Sequence, residues 1–346
     1  MTGDITRDDI IRAYQAIRHH VRRTPVIQLD LPGPVTLKLE HLQCAGSFKA
    51  RGAFTNLLLR DVPSAGVAAA SGGNHGLAVA YAARELGVPA RIFVPTVSSP
   101  AKIERIRELA DLVITGDRYA DALEAAQRWI AASGAMSVHA YDQRETILGQ
   151  ATLAQELGEQ ADPLDTVLVP VGGGGLIAGV AAYFKGAVRV IGVEPVDAPT
   201  LTHARAAGKP VDAPAGSIAV DALAPRRVGD LVFPITQAYV HDILLVDDNA
   251  IRDAQLTLWR TARIAAEPAA SVGVAALLSG AYRPAPGERV AAIITGANLP
   301  PSQLEATYRT SSEQRSSLID VIVNYPGRED EPDGPVDKPN HYSHGK

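Results

Sequence analysis

TVLVPVGGGGLIAGVAAYFKGAVRVIGVE, residues 166–194, decides how the rest of the chain is read. TVLVPV is an unbroken apolar run ended by glycine, the pattern of a strand buried on both faces. GLIAGVAAYFK predicts a helix, and VRVIGVE a second strand. Strand, tight turn, helix and strand make one βαβ unit, and hence a parallel sheet. Without Cβ atoms, the successive N–H groups of Gly172, Gly173, Gly174 and Gly175 can converge on a phosphate, and the helix start adds its dipole. The segment has a rival reading. Gly173, Gly175 and Ala178 satisfy GxGxxA, and Glu194 ends the next strand, where a dinucleotide fold places the acid that holds a ribose.

The same rhythm runs outward from this unit. VAAAS precedes a helix from Asn74 that Gly87 stops; ARIFVP precedes SPAKIERIREL; DLVIT precedes DRYADALEAAQRWI. Earlier, Thr6 and Asp9 form a capping-box variant for a surface helix reaching Val21, with Ile10, Ile11, Tyr14 and Ile17 as its apolar stripe. VTLKLE alternates as a strand, and a helix from Asp248 to Ala266 precedes the strand VAAIIT. The expected fold is α/β, with two open twisted sheets flanked by helices. A small unit, 53–141, is inserted into a larger one made of 1–52 and 142–324. Residues 325–346 are charged and rich in Pro and Gly, too poor in apolar groups to order themselves.

With 346 residues, the chain can hold two domains of ordinary size, each with its own core. A net charge of -5 without any basic stripe argues against nucleic acid as partner. The single cysteine, Cys44, excludes an intrachain disulfide and a cysteine-rich zinc site. MTGDITRDDI carries no signal or transit pattern, and no apolar run approaches membrane-spanning length, so the expected location is the cytoplasm.

Three further stretches sit at strand ends or helix starts. CAGSFKARGA puts Lys49 in the first turn of a helix, where the macrodipole mildly disfavours its ammonium form. SGGNHG (71–76) offers Ser71, Asn74 and free N–H groups to a carboxylate. TGAN places Thr295 at a strand's carboxyl end, the edge where open α/β sheets bind ligands. A dinucleotide accounts for the glycine run and Glu194 but leaves Lys49 and two loops without a task. A compact cofactor with one phosphate and one aldehyde uses them all, with Lys49 as its Schiff-base partner.

In these residues the chain resembles the threonine/serine dehydratase group of fold-type II pyridoxal phosphate (PLP) enzymes, which share the tryptophan synthase β-like fold and include serine racemase. SFKARGA resembles the lysine motif, SGGNHG the substrate loop, GGGGLIAG the phosphate loop and TGAN the ring-nitrogen motif. RTPV, GVEP and EPAAS at Glu267 follow in family order. The resemblance implies that Lys49 carries the cofactor and moves the Cα proton, with Phe48 against the ring. It assigns the phosphate to Gly172–Gly175 and Leu176, the pyridoxal hydroxyl to Asn74, and the pyridine nitrogen to Thr295. Ser71, Gly72 and His75 fall in the loop that takes the substrate carboxylate. A hydroxyl at the ring nitrogen suits β-elimination, because the ring need not become a pyridinium.

Two departures shape the expectation. The serine a racemase uses on the opposite face falls at Gly72, so elimination from L-threonine or L-serine outranks racemisation. The family's cation site resembles Glu194 and the Ala198 carbonyl, but its third place is Thr200, which puts a divalent or monovalent ion in doubt. The loop 217–229 is expected to face the substrate side chain, no regulatory domain is expected after Leu299, and a homodimer is the family habit. A lyase on a modified 3-hydroxy amino acid is an alternative. Two other classes stay open: a nicotinamide oxidoreductase, needing Glu194 and indifferent to Lys49→Ala, and a colourless anion-binding module.

Overall fold

The computed structural model describes residues 4–306 except 32, 162, 224, 301 and 304. The expected tail, 325–346, and the end of the larger unit therefore lie outside the described residues. The chain opens with α1 (Arg7–Ile17), β1 (Val26–Leu31), β2 (Gly33–Lys38) and α2 (Lys49–Leu59). A strictly alternating block follows: β3 (Val67–Ala70), α3 (Asn74–Glu85), β4 (Ala90–Val94), α4 (Pro100–Arg107), β5 (Asp111–Ile114), α5 (Tyr119–Ser133) and β6 (Met136–Ser137). Then come α6 (Arg144–Gln160), β7 (Thr166–Pro170), α7 (Gly175–Phe184), β8 (Arg189–Pro195), α8 (Thr200–Ala207), α9 (Val220–Leu223) and α10 (Val232–Tyr239). The last elements are β9 (Val240–Val246), α11 (Asp248–Ala262), α12 (Pro268–Leu278) and β10 (Val290–Ile293).

These strands form two sheets, ordered β1-β2-β10-β7-β8-β9 and β5-β4-β3-β6. Every pairing is parallel except β1 with β2. The alternation missing from TVLVP has a physical cause. Val167 and Val169 point into one apolar core and Leu168 into another, so every position of β7 is buried and all but Thr166 are apolar. In the smaller sheet, Val67, Ala69, Ile92 and Val94 share one core, while Ala68, Ala70 and Phe93 face α5.

Thr6 caps α1 with Asp9 in a full capping box, and Ile10, Ala13 and Ile17 are its buried stripe. The boundary drawn at 52/53 runs through α2, whose Ala50, Ala53, Phe54 and Leu57 join the core of the smaller sheet. Helix α11 stops at Ala262, short of Ala266, because Arg263 turns left-handed with φ of 57° and closes the helix. Parallel pairing sends the loops after β3, β4, β7 and β10 to carboxyl edges, and these loops build the site.

Candidate active site

Lys49 is the first residue of α2, and the segment before it is tied to the loop after β10. Ser47 bridges Gly296, Phe48 N–H donates to the Thr295 carbonyl at 3.1 Å, and Ala297 N–H donates to the Gly46 carbonyl at 3.0 Å. Among the described residues the Lys49 ammonium has one hydrogen-bond partner, the Ala140 carbonyl at 2.8 Å, and it lies 5.1 Å from the centre of the Phe48 ring. Burial pulls its pKa from 10.5 to about 8, and no carboxylate opposes that shift. Such a lysine gives up its proton near neutral pH and becomes a nucleophile or base.

Asn74 does not cap its own helix; Gly73 holds the cap position. The Asn74 amide instead joins loops: Nδ2 donates to Glu267 Oε2 at 2.7 Å, and Oδ1 accepts from Asn298 Nδ2 at 2.8 Å. Asn298 also reaches the Ala45 carbonyl at 2.8 Å and accepts from Arg105 of α4 at 2.6 Å. Burial raises the pKa of Glu267, whose second oxygen, Oε1, has no hydrogen-bond partner among the described residues and lies 4.0 Å from Lys102 Nζ. Lys102 in turn pairs with Asp221 of α9. His75 Nε2 is 2.9 Å from the Val138 carbonyl, which can only accept, so that nitrogen carries the proton. Burial and the Lys49 cation pull the His75 pKa down to about 3, leaving a neutral, backbone-anchored ring.

The glycine run is glycine because its neighbours leave no room. A Cβ on Gly173 would meet the Tyr141 ring, with Cε1 2.5 Å away; on Gly175 it would lie 2.8 Å from Tyr141 Cα. At Gly174 the backbone is left-handed, with φ of 88°, and a Cβ would lie 2.5 Å from Val232 Cγ1. The N–H groups of Gly173, Gly174, Gly175 and Leu176 have no protein acceptor among the described residues, nor do those of Asn74, His75 and Gly76. Two helix starts thus present unpaired donors, which is what two separate anionic groups require. Tyr141 ties them to Lys49: it follows Ala140 in sequence and packs on the glycine run.

Loop 217–229 bridges the same two places. The Asp221 carbonyl would be 3.3 Å from a Cβ on Gly73, and Leu223 Cα 3.2 Å from one on Gly172. Ser71 accepts from Gly73 N–H at 3.2 Å. The place beside Gly72 does hold a hydroxyl after all, that of Ser98 from the loop after β4.

Glu194 is spent elsewhere. Its Oε1 accepts from Leu201 N–H at 2.7 Å, and its Oε2 from the Thr202 N–H at 3.0 Å and hydroxyl at 2.7 Å. It caps α8, with its pKa pushed up to about 7 by burial. The Ala198 carbonyl accepts from Thr200 N–H at 3.1 Å, and the Thr200 hydroxyl donates to the Pro225 carbonyl at 3.0 Å. No group of three or more His, Cys, Asp or Glu poised for a metal occurs among the described residues.

Tyr141, Lys102, Arg105 and Ser98 escaped the sequence reading, and Asp221 entered it only within loop 217–229. Tyr141 and Ser98 lie in loops after strands, while Lys102 and Arg105 project from α4, where nothing local marks them. The donor set fits PLP: a desolvated lysine for the aldehyde, a glycine cradle with unpaired N–H groups for the phosphate, and two buried polar atoms without partners among the described residues, Ser47 Oγ and Glu267 Oε1, beside the Lys49 and Asn74 loops.

The chain belongs to the pyridoxal-phosphate dependent enzyme family, which matches residues 17–296. It is 36% identical over 306 residues to the L-threonine ammonia-lyase of Thermotoga maritima, covering 85% of this chain and 76% of that protein. It is 36% identical over 292 residues to the phenylserine dehydratase of Ralstonia pickettii, covering 82% and 90%. The structure of maize serine racemase superposes with a TM-score of 0.82 at 32% identity, covering 91% of this chain and 100% of that one. The cofactor is therefore PLP, and the enzyme is of fold type II. The nicotinamide and cofactor-free readings fall with that assignment, and Glu194 is left as a helix cap.

Proposed function

We propose that the chain dehydrates and deaminates L-threonine and/or L-serine, giving 2-oxobutanoate or pyruvate plus ammonia. One observation carries this reading: a lysine with its pKa near 8 and a single carbonyl partner, next to two helix starts with unpaired N–H groups. PLP, when bound, supplies the electron sink that lets the Cα–H bond of an amino acid break.

The chain's own groups do the rest. Lys49 Nζ would hold the aldehyde and, once the substrate amine replaces it there, would take the Cα proton. The N–H groups of Gly172–Gly175 and Leu176 would receive the phosphate, the Asn74 amide the ring hydroxyl, and the Thr295 hydroxyl the ring nitrogen. Phe48 would pack against the ring. Ser71, Gly72 and His75, with the N–H groups of α3, receive the substrate carboxylate. His75, neutral and with its Nε2–H held by the Val138 carbonyl, orients this loop and transfers no proton. The threonine or serine hydroxyl would leave Cβ as water, the proton taken from Cα balancing the one it gains, and hydrolysis of the released enamine would take up one water and set free ammonia.

Several companions of this reading are proposals as well: a homodimer, a cytoplasmic location, a small unit spanning 53–141, and activity without a bound cation. Among the described residues no helix is long and apolar enough to cross a membrane. A larger 3-hydroxy amino acid is the nearest alternative substrate, in line with the phenylserine dehydratase relative. Racemisation is a second reading, favoured by the Ser98 hydroxyl beside Gly72.

The test is the visible spectrum of the purified protein with borohydride trapping, peptide mapping and product analysis. We expect a yellow protein with the trapped cofactor on Lys49, and 2-oxobutanoate on adding L-threonine. D-serine formed from L-serine as fast as pyruvate would move the assignment to racemase. A yellow protein silent to both amino acids would overturn the substrate class.

A further inference from the structure

Gly72 stands in the middle of the loop after β3, yet the space for its side chain is filled. A Cβ built on it would lie 2.6 Å from Ser98 Cβ and would overlap the Ser98 hydroxyl. The topology explains the meeting. Strands β3 and β4 pair in parallel with Ala70 opposite Phe93, and Ser71 N–H donates to the Phe93 carbonyl at 2.9 Å. Both loops thus leave the sheet at the same edge. A turn closed by Ser98 N–H on the Pro95 carbonyl at 3.1 Å then brings residue 98 back over residue 72.

The half-buried Ser98 hydroxyl has no hydrogen-bond partner among the described residues. On the Gly72 side, the other neighbour of this space is Val94, whose Cβ would be 3.7 Å from the added Cβ. This hydroxyl, beside the N–H-rich start of α3, has no protein acceptor among the described residues. The carboxylate of an amino acid is one.

We propose that Ser98 is a substrate-positioning residue: its Oγ–H donates to the carboxylate of the amino acid held at 71–75, from the space a side chain on residue 72 would otherwise take. This role rests on the reading that the 71–76 loop receives an amino acid. Gly72 and Ser98 then act as one unit, in which either position can supply the hydroxyl but not both.

Three variants of the holoenzyme test this: Ser98→Ala, Gly72→Ser, and the exchange Gly72→Ser with Ser98→Gly. Each is measured by thermal unfolding, by steady-state kinetics, and by spectral titration with L-alanine, which binds without a leaving group on Cβ. Loss of one hydrogen bond to a charged group predicts that Ser98→Ala weakens L-alanine saturation and raises KM by about 10-fold, with kcat within about 3-fold. Gly72→Ser alone lowers the unfolding temperature, and the exchange restores both stability and L-alanine affinity.

An L-alanine titration unchanged in Ser98→Ala, or an exchange no better than Gly72→Ser alone, would overturn the proposal. Loss of kcat at unchanged KM would do the same, by making Ser98 a proton carrier. If the wild type consumes neither threonine nor serine, the assigned reaction fails by itself while the L-alanine titration still judges Ser98. A wild-type spectrum unmoved by all three amino acids removes the role altogether.

Discussion

Lys38 and Lys49 are both taken out of water, and in both burial pulls the pKa down, yet they serve opposite ends. Lys38 spends all three N–H donors, on the Thr24 carbonyl at 2.7 Å, Glu156 at 2.7 Å and Gln160 at 2.8 Å. Around it, Arg51 grips Glu40 through two bonds of 2.8 Å and Glu156 through bonds of 2.9 and 2.8 Å. Burial works against the charge of Arg51, but the two carboxylates overcome it and raise its pKa. In this quartet, a proton lost from either cation leaves a buried carboxylate uncompensated. Lys49 faces one carbonyl and no carboxylate. Burial alone does not make a lysine reactive; burial with incomplete partnering does.

Five changes would break or sharpen this contrast. Lys49→Ala should lower turnover by at least about 1,000-fold, since nucleophile and base are lost together, while stability shifts by no more than ~1 kcal/mol. Product assays beside thermal unfolding measure both, and a variant with a tenth of wild-type turnover would break the comparison from the side of Lys49. Lys38→Met should do the reverse, costing about 3–5 kcal/mol because Glu40 and Glu156 keep one cation between them. Chemical denaturation checks it, and a harmless Lys38→Met would mean that Arg51 suffices.

The third change is pH. The Lys49 pKa is depressed from 10.5 to about 8, so the neutral amine that captures the aldehyde grows as pH rises toward 8 and levels off above it. Recovery of yellow colour by the apo-protein should therefore quicken by about tenfold per pH unit below that point. A flat profile between pH 6 and 9 would contradict the desolvated site. The smallest effect belongs to Glu194. Its folded pKa of about 7 lies above the ordinary 4.5, so its contribution to stability is full at low pH and fades as pH rises through 7. Glu194→Gln should abolish that fade, at a cost of ~1 kcal/mol. Added chelator should change kcat/KM less than about twofold, which is checked against magnesium-supplemented enzyme.

Much of the fold was legible because local pattern and environment agree. The continuous apolar run of β7 announces a strand covered on both faces, and the Thr6–Asp9 box announces the start of α1. Helix α12 carried no such mark: it is buried on every side from Pro268 to Leu277, so no polar stripe gives its period away. Helix α11 was drawn too long because nothing local in Arg263 foretells a left-handed turn.

The chain by itself determined the lysine, the glycine run and the two flanking loops, since each is a short segment whose chemistry follows from its own residues. Only the tertiary structure decided what those residues meet. Asn74 is legible only as a donor to a ligand, and the fold also makes it the link from Glu267 to Asn298; Glu194 is legible as a ligand-holding acid, and the fold sets it on the N–H groups that open α8. Gly72 looked like a missing hydroxyl, and Ser98 fills its space. The physical reason is the same in each case. Whether a polar group binds a ligand or a neighbour depends on which acceptor or donor reaches it first, and in a parallel sheet those neighbours arrive from strands far apart in sequence.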